Sequence, residues 1–333
     1  MVTPFEAMTA IVEETPGSGN AMTIAQPGIY YEMAAADYFA DPCPAPSLTQ
    51  SVAKILLDRS ALHAWHAHPR LNPNFRPDDD TKYDIGNIAH RLLLGCGKEL
   101  VVLDYDDWRT KAAKEAREEA AAAGRLAVLG KHVERANAMV RAARDALDAA
   151  GCRRAFEPGK GRSEAVIAWQ EPAGFWCRSM IDWLGEPPPA FVYDYKTTGM
   201  SVAPHAIGRL LADAGWDVQA AMIERGLQAL RPDARYCFRF VAQEDEPPYA
   251  MTICELPESV MTMGRKKLAV ALRLWQRALA TGRWPGYAKL VVVPSYPDYA
   301  EAQWLDREQG EFADDSNFTG DPPPRGADLI MAG

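Results

Sequence analysis

Within 191-FVYDYKTT-198 an acid, Asp194, and a lysine, Lys196, stand two residues apart in a run otherwise rich in aromatic and β-branched residues. Such a run reads as a β-strand. Side chains alternate across a strand, so Val192, Asp194 and Lys196 share one face, and Phe191, Tyr193 and Tyr195 share the other. Burying either charge alone is costly, so each needs a partner. An Asp–Lys ion pair at a sheet edge satisfies that need. A second arrangement does so as well. Asp182 lies on the strand-like run just before, and Glu164 opens the run before that. Three carboxylates and a lysine then converge on one patch of sheet. Three ionised acids at close range require a cation. Ligation by oxygen alone favours magnesium or manganese over zinc.

The elements that position these residues are legible nearby. Three strand-like runs, 164-EAVIAW-169, 176-WCRSMIDWL-184 and 190-AFVYDYKTT-198, follow one another, and the Pro/Gly cluster 185-GEPPP-189 joins the last two as a hairpin. A helix over 217-DVQAAMIERGLQAL-230 comes next, then strands at 235-RYCFRFVAQ-243 and 249-YAMTICEL-256, then a long helix over about 257–281. Upstream the chain is mainly helical over 46–150. A helix begins in 46-PSLTQSVAKILL-57, with Ser47 as N-cap and Gln50 at the third position, a capping-box pattern. A loop covers 69–80, and 84-DIGNIAHRLLLG-95 reads as a helix with a small-residue entry. Gly124 and Gly130 divide 107–150 into two helices. Residues 1–25 read as a mobile arm, and 301–333 as an acidic, Pro/Gly-rich disordered tail. Between them, 26–300 form one domain with its core at 160–290. The element order predicts an α+β fold: a central mixed β-sheet flanked by helices.

Composition narrows the classes. No apolar run approaches the ~20 residues that span a bilayer, and the first residues lack the basic and apolar regions of a signal peptide. Six cysteines are scattered without a CxxC pair, which reads as reduced thiols in a cytoplasmic protein. The net charge of −9 argues against a broad basic surface, although a metal ion and a local basic groove can still serve nucleic acid. No GxxxxGK[ST] run occurs, so neither a motor domain nor a bound nucleotide is expected.

Glu164, Asp182 and 194-DYK-196 resemble the core of PD-(D/E)xK nucleases, a restriction-endonuclease-like fold. The chain is more narrowly similar to the phage-type exonuclease VIII (RecE-like) family, which is related to RecB nuclease domains. The likeness runs over most of 26–290. It is carried by 28-GIYYEMAAADYFADP-42, 86-GNIAH-90, 177-CRSMID-182, 193-YDYKTT-198, 218-VQAAM-222 and 283-RWP-285, in the family's order. Three positions depart from the pattern. Ile223 stands where relatives often carry tyrosine four residues after the glutamine, and Met180 and Ile181 precede Asp182 in place of Arg and Pro.

The resemblance implies roles. Asp182 and Asp194 would bind the catalytic metal together with the Tyr195 carbonyl, and His90 would add an imidazole ligand. Glu164 would help hold a metal or its water. Lys196 would orient the attacking water, ease its deprotonation, or stabilise charge on the phosphate. Gln219 would contact that water or the DNA. Arg178, Arg162 and Lys160 are candidates for DNA phosphates, beside Arg153 and Arg154. The run 63-HAWHAH-68 has the look of a metal box but lacks neighbouring acids or thiols in sequence, so no zinc site is expected there. No cysteine follows Cys254, so no iron–sulfur cluster is expected.

The family implies a Mg²⁺-dependent exodeoxyribonuclease, with Mn²⁺ as substitute, that resects double-stranded DNA from 5′ ends. It implies DNA ends as substrate, a single-strand annealing protein as partner, a homo-oligomer, no membrane, and recombination in the bacterial cytoplasm. Two rival readings stand beside it. One is an endonuclease or a single-strand 5′ nuclease of RecB-like type; the other is a non-catalytic DNA-binding module.

Overall fold

The computed structural model describes residues 22–76, 85–97, 99–186, 190–287 and 291–310. The chain divides into two compact units, Met1–Tyr287 and Ala288–Gly333. In the first unit the chain runs through β1 (Gly28–Tyr30), α1 (Ala35–Phe39), β2 (Ser47–Leu48), α2 (Gln50–Asp58), α3 (Ala61–His66), α4 (Ile85–Leu94), β3 (Leu100–Leu103), α5 (Lys111–Ala122), β4 (Leu126–Leu129) and α6 (Gly130–Ala149). It continues through β5 (Gly161–Gln170), β6 (Trp176–Gly185), β7 (Ala190–Thr198), α7 (Ile207–Asp213), α8 (Trp216–Leu230), β8 (Tyr236–Glu244), β9 (Met251–Glu255) and α9 (Glu258–Thr281). The second unit holds α10 (Asp298–Gly310).

Among the described residues the main sheet has the order β1-β5-β6-β7-β8-β9, with β2 paired to β6. It is mixed. β5, β6 and β7 pair antiparallel, as do β8 and β9, while β7 and β8 run parallel in register from Ala190↔Tyr236 to Thr198↔Glu244. A parallel pair needs a long crossover, and α7 with α8 supplies it. That crossover lays α8 on one face of the sheet.

The alternation expected along 191–196 is realised. Val192 packs with Trp169, Met222, Leu227 and Trp275 beneath α2, α8 and α9. Tyr193 and Tyr195 pack on the opposite face with Ile88, Leu93, Met139, Leu147 and Phe156, beneath α4 and α6. The fold is therefore a mixed sheet between two helical layers, the arrangement that buries both faces of a central strand.

Several boundaries differ from the sequence reading. Thr49, not Ser47, caps α2: its hydroxyl accepts the Val52 N–H at 3.3 Å. Ser47 is held in β2 because the buried Asp41 carboxylate takes both its N–H (2.9 Å) and its hydroxyl (2.7 Å). With its hydroxyl donating to Asp41 and accepting from Arg178, Ser47 does not cap, and the next hydroxyl residue does. Between α5 and α6 the chain forms β4, which pairs parallel with β3 as a small second sheet. Short apolar runs such as 126-LAVL-129 carry too little periodicity to distinguish strand from helix. The expected arm, 1–25, lies outside the described residues as far as 21. From there Ile24 is already buried, and its N–H bonds the Pro42 carbonyl at 2.9 Å. The expected tail from 301 is corrected over 301–310, which belong to the exposed helix α10; 311–333 lie outside the described residues, as do 77–80 of the expected loop and 187–189 of the hairpin turn. Among the described residues no helix is long and apolar enough to cross a membrane.

Candidate active site

The site forms where β6 and β7 part. Their ladder pairs Leu184↔Val192 and Trp183↔Tyr193. One step further, the Asp182 carboxylate accepts the Tyr195 N–H at 2.9 Å, so a side chain replaces a strand partner. In the fork, Asp194 is 1% exposed. Its Oδ1 lies 2.5 Å from Lys196 Nζ, and its Oδ2 accepts from Gln219 Nε2 at 2.5 Å. Gln219 arrives because the crossover helix α8 presents it to the β7 face that carries Asp194.

The other wall is α4. His90 Nε2 lies 3.2 Å from Asp182 Oδ2, and its ring stacks on Tyr195 with centroids 6.1 Å apart. The Tyr195 ring is itself held from behind, its hydroxyl donating to the buried Gln243 at 2.5 Å. Gly86 sets how close α4 comes: a Cβ added there would lie 2.2 Å from Thr197 Oγ1. Only glycine lets the helix rest on β7 at that height.

Glu164 stands on β5 opposite Asp182 of β6, between the paired residues Ser163↔Trp183 and Ala165↔Ile181. Its φ is +48°, a left-handed backbone that non-glycine residues rarely adopt and that concentrates at functional positions. Burial, followed by the charge of Glu164, pushes the Cys96 thiol up to about 12.

The electrostatics separate the two aspartates. Burial, then the neighbouring Asp182 charge, pushes Asp194 up to about 6 despite Lys196. Burial also opposes ionisation of Asp182, but the His90 charge and hydrogen bond, with Lys196 and the Tyr195 N–H, outweigh it and hold the carboxyl below its usual range. For His90 and Lys196, burial disfavours the cation, and the carboxylates beside them overcome it, so both stay charged to higher pH than usual. Two carboxylates forced together thus draw two cationic side chains inward, the response expected when negative charge is crowded at low dielectric.

The resemblance to PD-(D/E)xK nucleases implies a divalent metal, and the donors fit one in kind. Asp194 Oδ1 is buried, makes no aligned hydrogen bond among the described residues, and lies 2.5 Å from the Lys196 ammonium. Asp182, Asp194 and the Tyr195 carbonyl offer hard oxygens and His90 an imidazole, a set suited to magnesium or manganese. Among the described residues no three His, Cys, Asp or Glu side chains are already drawn to the spacing of a filled metal site. The carboxylates are instead engaged by His90, Lys196 and Gln219.

Of the residues singled out from sequence, His90, Asp182, Asp194, Tyr195, Lys196 and Gln219 come together, with Glu164 alongside. Lys160, Arg162, Arg153 and Arg154 are exposed, and the Arg162 guanidinium lies over the Tyr31 ring at 5.4 Å. Arg178 is a correction. It is 3% exposed, 2.8 Å from Asp41 Oδ1, and packed over Tyr38, so it is a structural ion-pair partner and not a phosphate contact. Inward and outward residues alternate on β6, but which polar residue has a buried counter-charge waiting is not visible in β6 alone. The same pocket accounts for His68 of 63-HAWHAH-68, fully buried with Nε2 3.4 Å from Asp41 Oδ2 and 3.1 Å from the Ser47 carbonyl. Two residues near the site were not singled out: Cys96 and Lys54. Neither carries a spacing signal, because each arrives from a separate element.

A family model described as a PDDEXK-like domain of unknown function (DUF3799) matches residues 58–292. A solved structure from Eubacterium rectale, named "Putative exonuclease", is similar with a TM-score of 0.48 and 11% sequence identity, over 77% of this chain and 92% of that one. No curated protein matches the sequence.

Proposed function

This chain belongs to the family of PDDEXK-like domains of unknown function, and from that premise we propose that it is a divalent-metal-dependent deoxyribonuclease acting on double-stranded DNA ends. The observation that carries the reading is the fork between β6 and β7. There a buried Asp194 with Lys196 at 2.5 Å meets Asp182 and His90, themselves 3.2 Å apart.

Asp182, Asp194, His90 and the Tyr195 carbonyl would hold the ion, with Glu164 supporting it from β5. When bound, Mg²⁺ or Mn²⁺ would neutralise phosphate charge and lower the pKa of the attacking water. Lys196, placed beside Asp194, would orient the water and stabilise charge on the phosphate. Gln219 would turn its amide between Asp194 and the substrate. Tyr195 and His90 stack, so the imidazole is held in orientation while its Nε2 faces Asp182. Arg162 and Lys160, exposed near the start of β5, would receive neighbouring phosphates.

The finer reading is a 5′-to-3′ exonuclease that leaves 3′ single strands for annealing in phage or prophage recombination, in the cytoplasm, as a homo-oligomer with an annealing protein as partner. It rests on the motif order across 26–290. The test incubates purified protein with linear duplex labelled at each 5′ end, in Mg²⁺ and in Mn²⁺, beside Lys196→Ala and a closed circular duplex. Mononucleotide release from 5′ ends, absent in the variant and on circles, is expected. Cut circles would replace the exonuclease with an endonuclease. Binding without cleavage in either metal would leave a DNA-binding module.

A further inference from the structure

Lys54 is a half-buried lysine on α2 that the proposed reaction does not use. Its Nζ donates to the Ala214 carbonyl at 3.0 Å, at the end of α7. Its stem lies against Gly215, where an added Cβ would stand 2.7 Å from Lys54 Cδ. Gly215 has φ +64° and begins α8, the helix that delivers Gln219 to Asp194. Lys54 is therefore fixed at the joint that positions one wall of the site.

Its charge is not matched where it sits. An ammonium has three donors, of which the Ala214 carbonyl takes one. Lys196 and Lys267 each have a carboxylate within ion-pair distance, Asp194 at 2.5 Å and Asp217 at 2.6 Å; among the described residues Lys54 is ion-paired with none. Burial first, then repulsion from Lys196, lowers its pKa, and Asp194, Asp58 and Asp217 offset this only in part. Among the described residues Lys54 is thus a lysine with no carboxylate at ion-pair distance and donors to spare, fixed one helical turn from Gln219, which bonds Asp194. An anionic ligand can take the remaining donors.

We propose that Lys54 binds a backbone phosphate of the DNA strand in the site, adjacent to the phosphate presented to Lys196. This rests on the nuclease reading and adds a second cation to it, brought by α2 instead of the sheet. The tether to Ala214 presets the ammonium, so little side-chain freedom is lost when DNA arrives.

The experiment measures binding of a fluorescent duplex by anisotropy in EDTA between 50 and 200 mM salt, for wild type, Lys54→Gln and Lys54→Arg. Each phosphate contact contributes about 0.9 to the slope of log affinity against log salt. Lys54→Gln is expected to reduce the slope by about that amount and weaken binding roughly five- to tenfold near 0.1 M salt. Lys54→Arg is expected to keep both. In parallel, reductive methylation of wild type, read by mass spectrometry, should modify Lys54 in free protein and less with duplex present. An unchanged slope and affinity in Lys54→Gln, with wild type still cleaving DNA in Mg²⁺, would overturn the phosphate contact and leave the nuclease standing. A wild type that neither binds nor cleaves duplex overturns both. If Lys54→Gln loses its thermal transition, the footprint decides: protection by DNA supports the contact, and equal modification with and without DNA refutes it.

Discussion

Replacing Gly86 with alanine tests whether the approach of α4 to β7 sets the geometry of the site. The added Cβ would lie 2.2 Å from Thr197 Oγ1 and 3.0 Å from Thr197 Cβ, against an ordinary contact of 3.4 Å or more. Rotating Thr197 cannot clear the way completely, because turning χ1 leaves its Cβ in place at 3.0 Å. Helix and strand must separate by roughly 1 Å to restore van der Waals distance. Overpacking of this kind costs about 1–3 kcal/mol in stability. Its larger effect should fall on chemistry, since His90 sits one helical turn along from Gly86 and is 3.2 Å from Asp182. A displacement of about 1 Å in a positioned group can cost ~100-fold in rate. The expectation is a Gly86→Ala protein that folds, melts a few degrees lower, and cleaves duplex DNA about two orders of magnitude more slowly. Adding Thr197→Ala removes the 2.2 Å contact and leaves the 3.0 Å one, so most activity should return in the double variant. The assay is single-turnover cleavage in saturating Mg²⁺ beside thermal melts. A Gly86→Ala protein as active as wild type, or a double variant no better than the single, would refute the reasoning.

Three further outcomes follow from the site and its surroundings. Asp194 is raised to about 6 in the folded protein from 3.8, so folding is penalised as pH rises through that window, where the folded state holds the proton that the unfolded state has lost. In EDTA, Asp194→Asn should therefore melt higher than wild type at pH 8, with the gap closing by pH 4; a constant gap across pH would count against the assignment. Mg²⁺ should raise the melting temperature of wild type, by about 2.7 kcal/mol of stability at one hundred times its dissociation constant, and should leave Asp182→Asn unmoved; equal shifts would place the ion elsewhere. Arg178→Ala should destabilise by about 3–5 kcal/mol in urea melts, because it strands the buried Asp41; a stable variant with weakened DNA binding would instead restore Arg178 to the DNA surface.

How much was legible depended on the range of the interactions. The strands β5 to β9, the helices α8 and α9, and the shared face of Val192, Asp194 and Lys196 follow from periodicity and turn residues, which act over a few neighbours. Asp182 and Glu164 could be placed beside Asp194 because antiparallel neighbours set register locally. His90 and Gln219 came from motif order alone; no local rule brings α4 and α8 against the same strand. Tertiary structure decided that Gly86 lowers α4 onto Thr197, that Asp41 claims Ser47 and Arg178, and that Lys54 reaches the joint before α8. Each is a contact between residues far apart in the chain, and its energy comes from burial and charge pairing that exist only once the layers have packed. Sequence by itself determined which side chains a strand presents together; packing determined which of their charges found a partner.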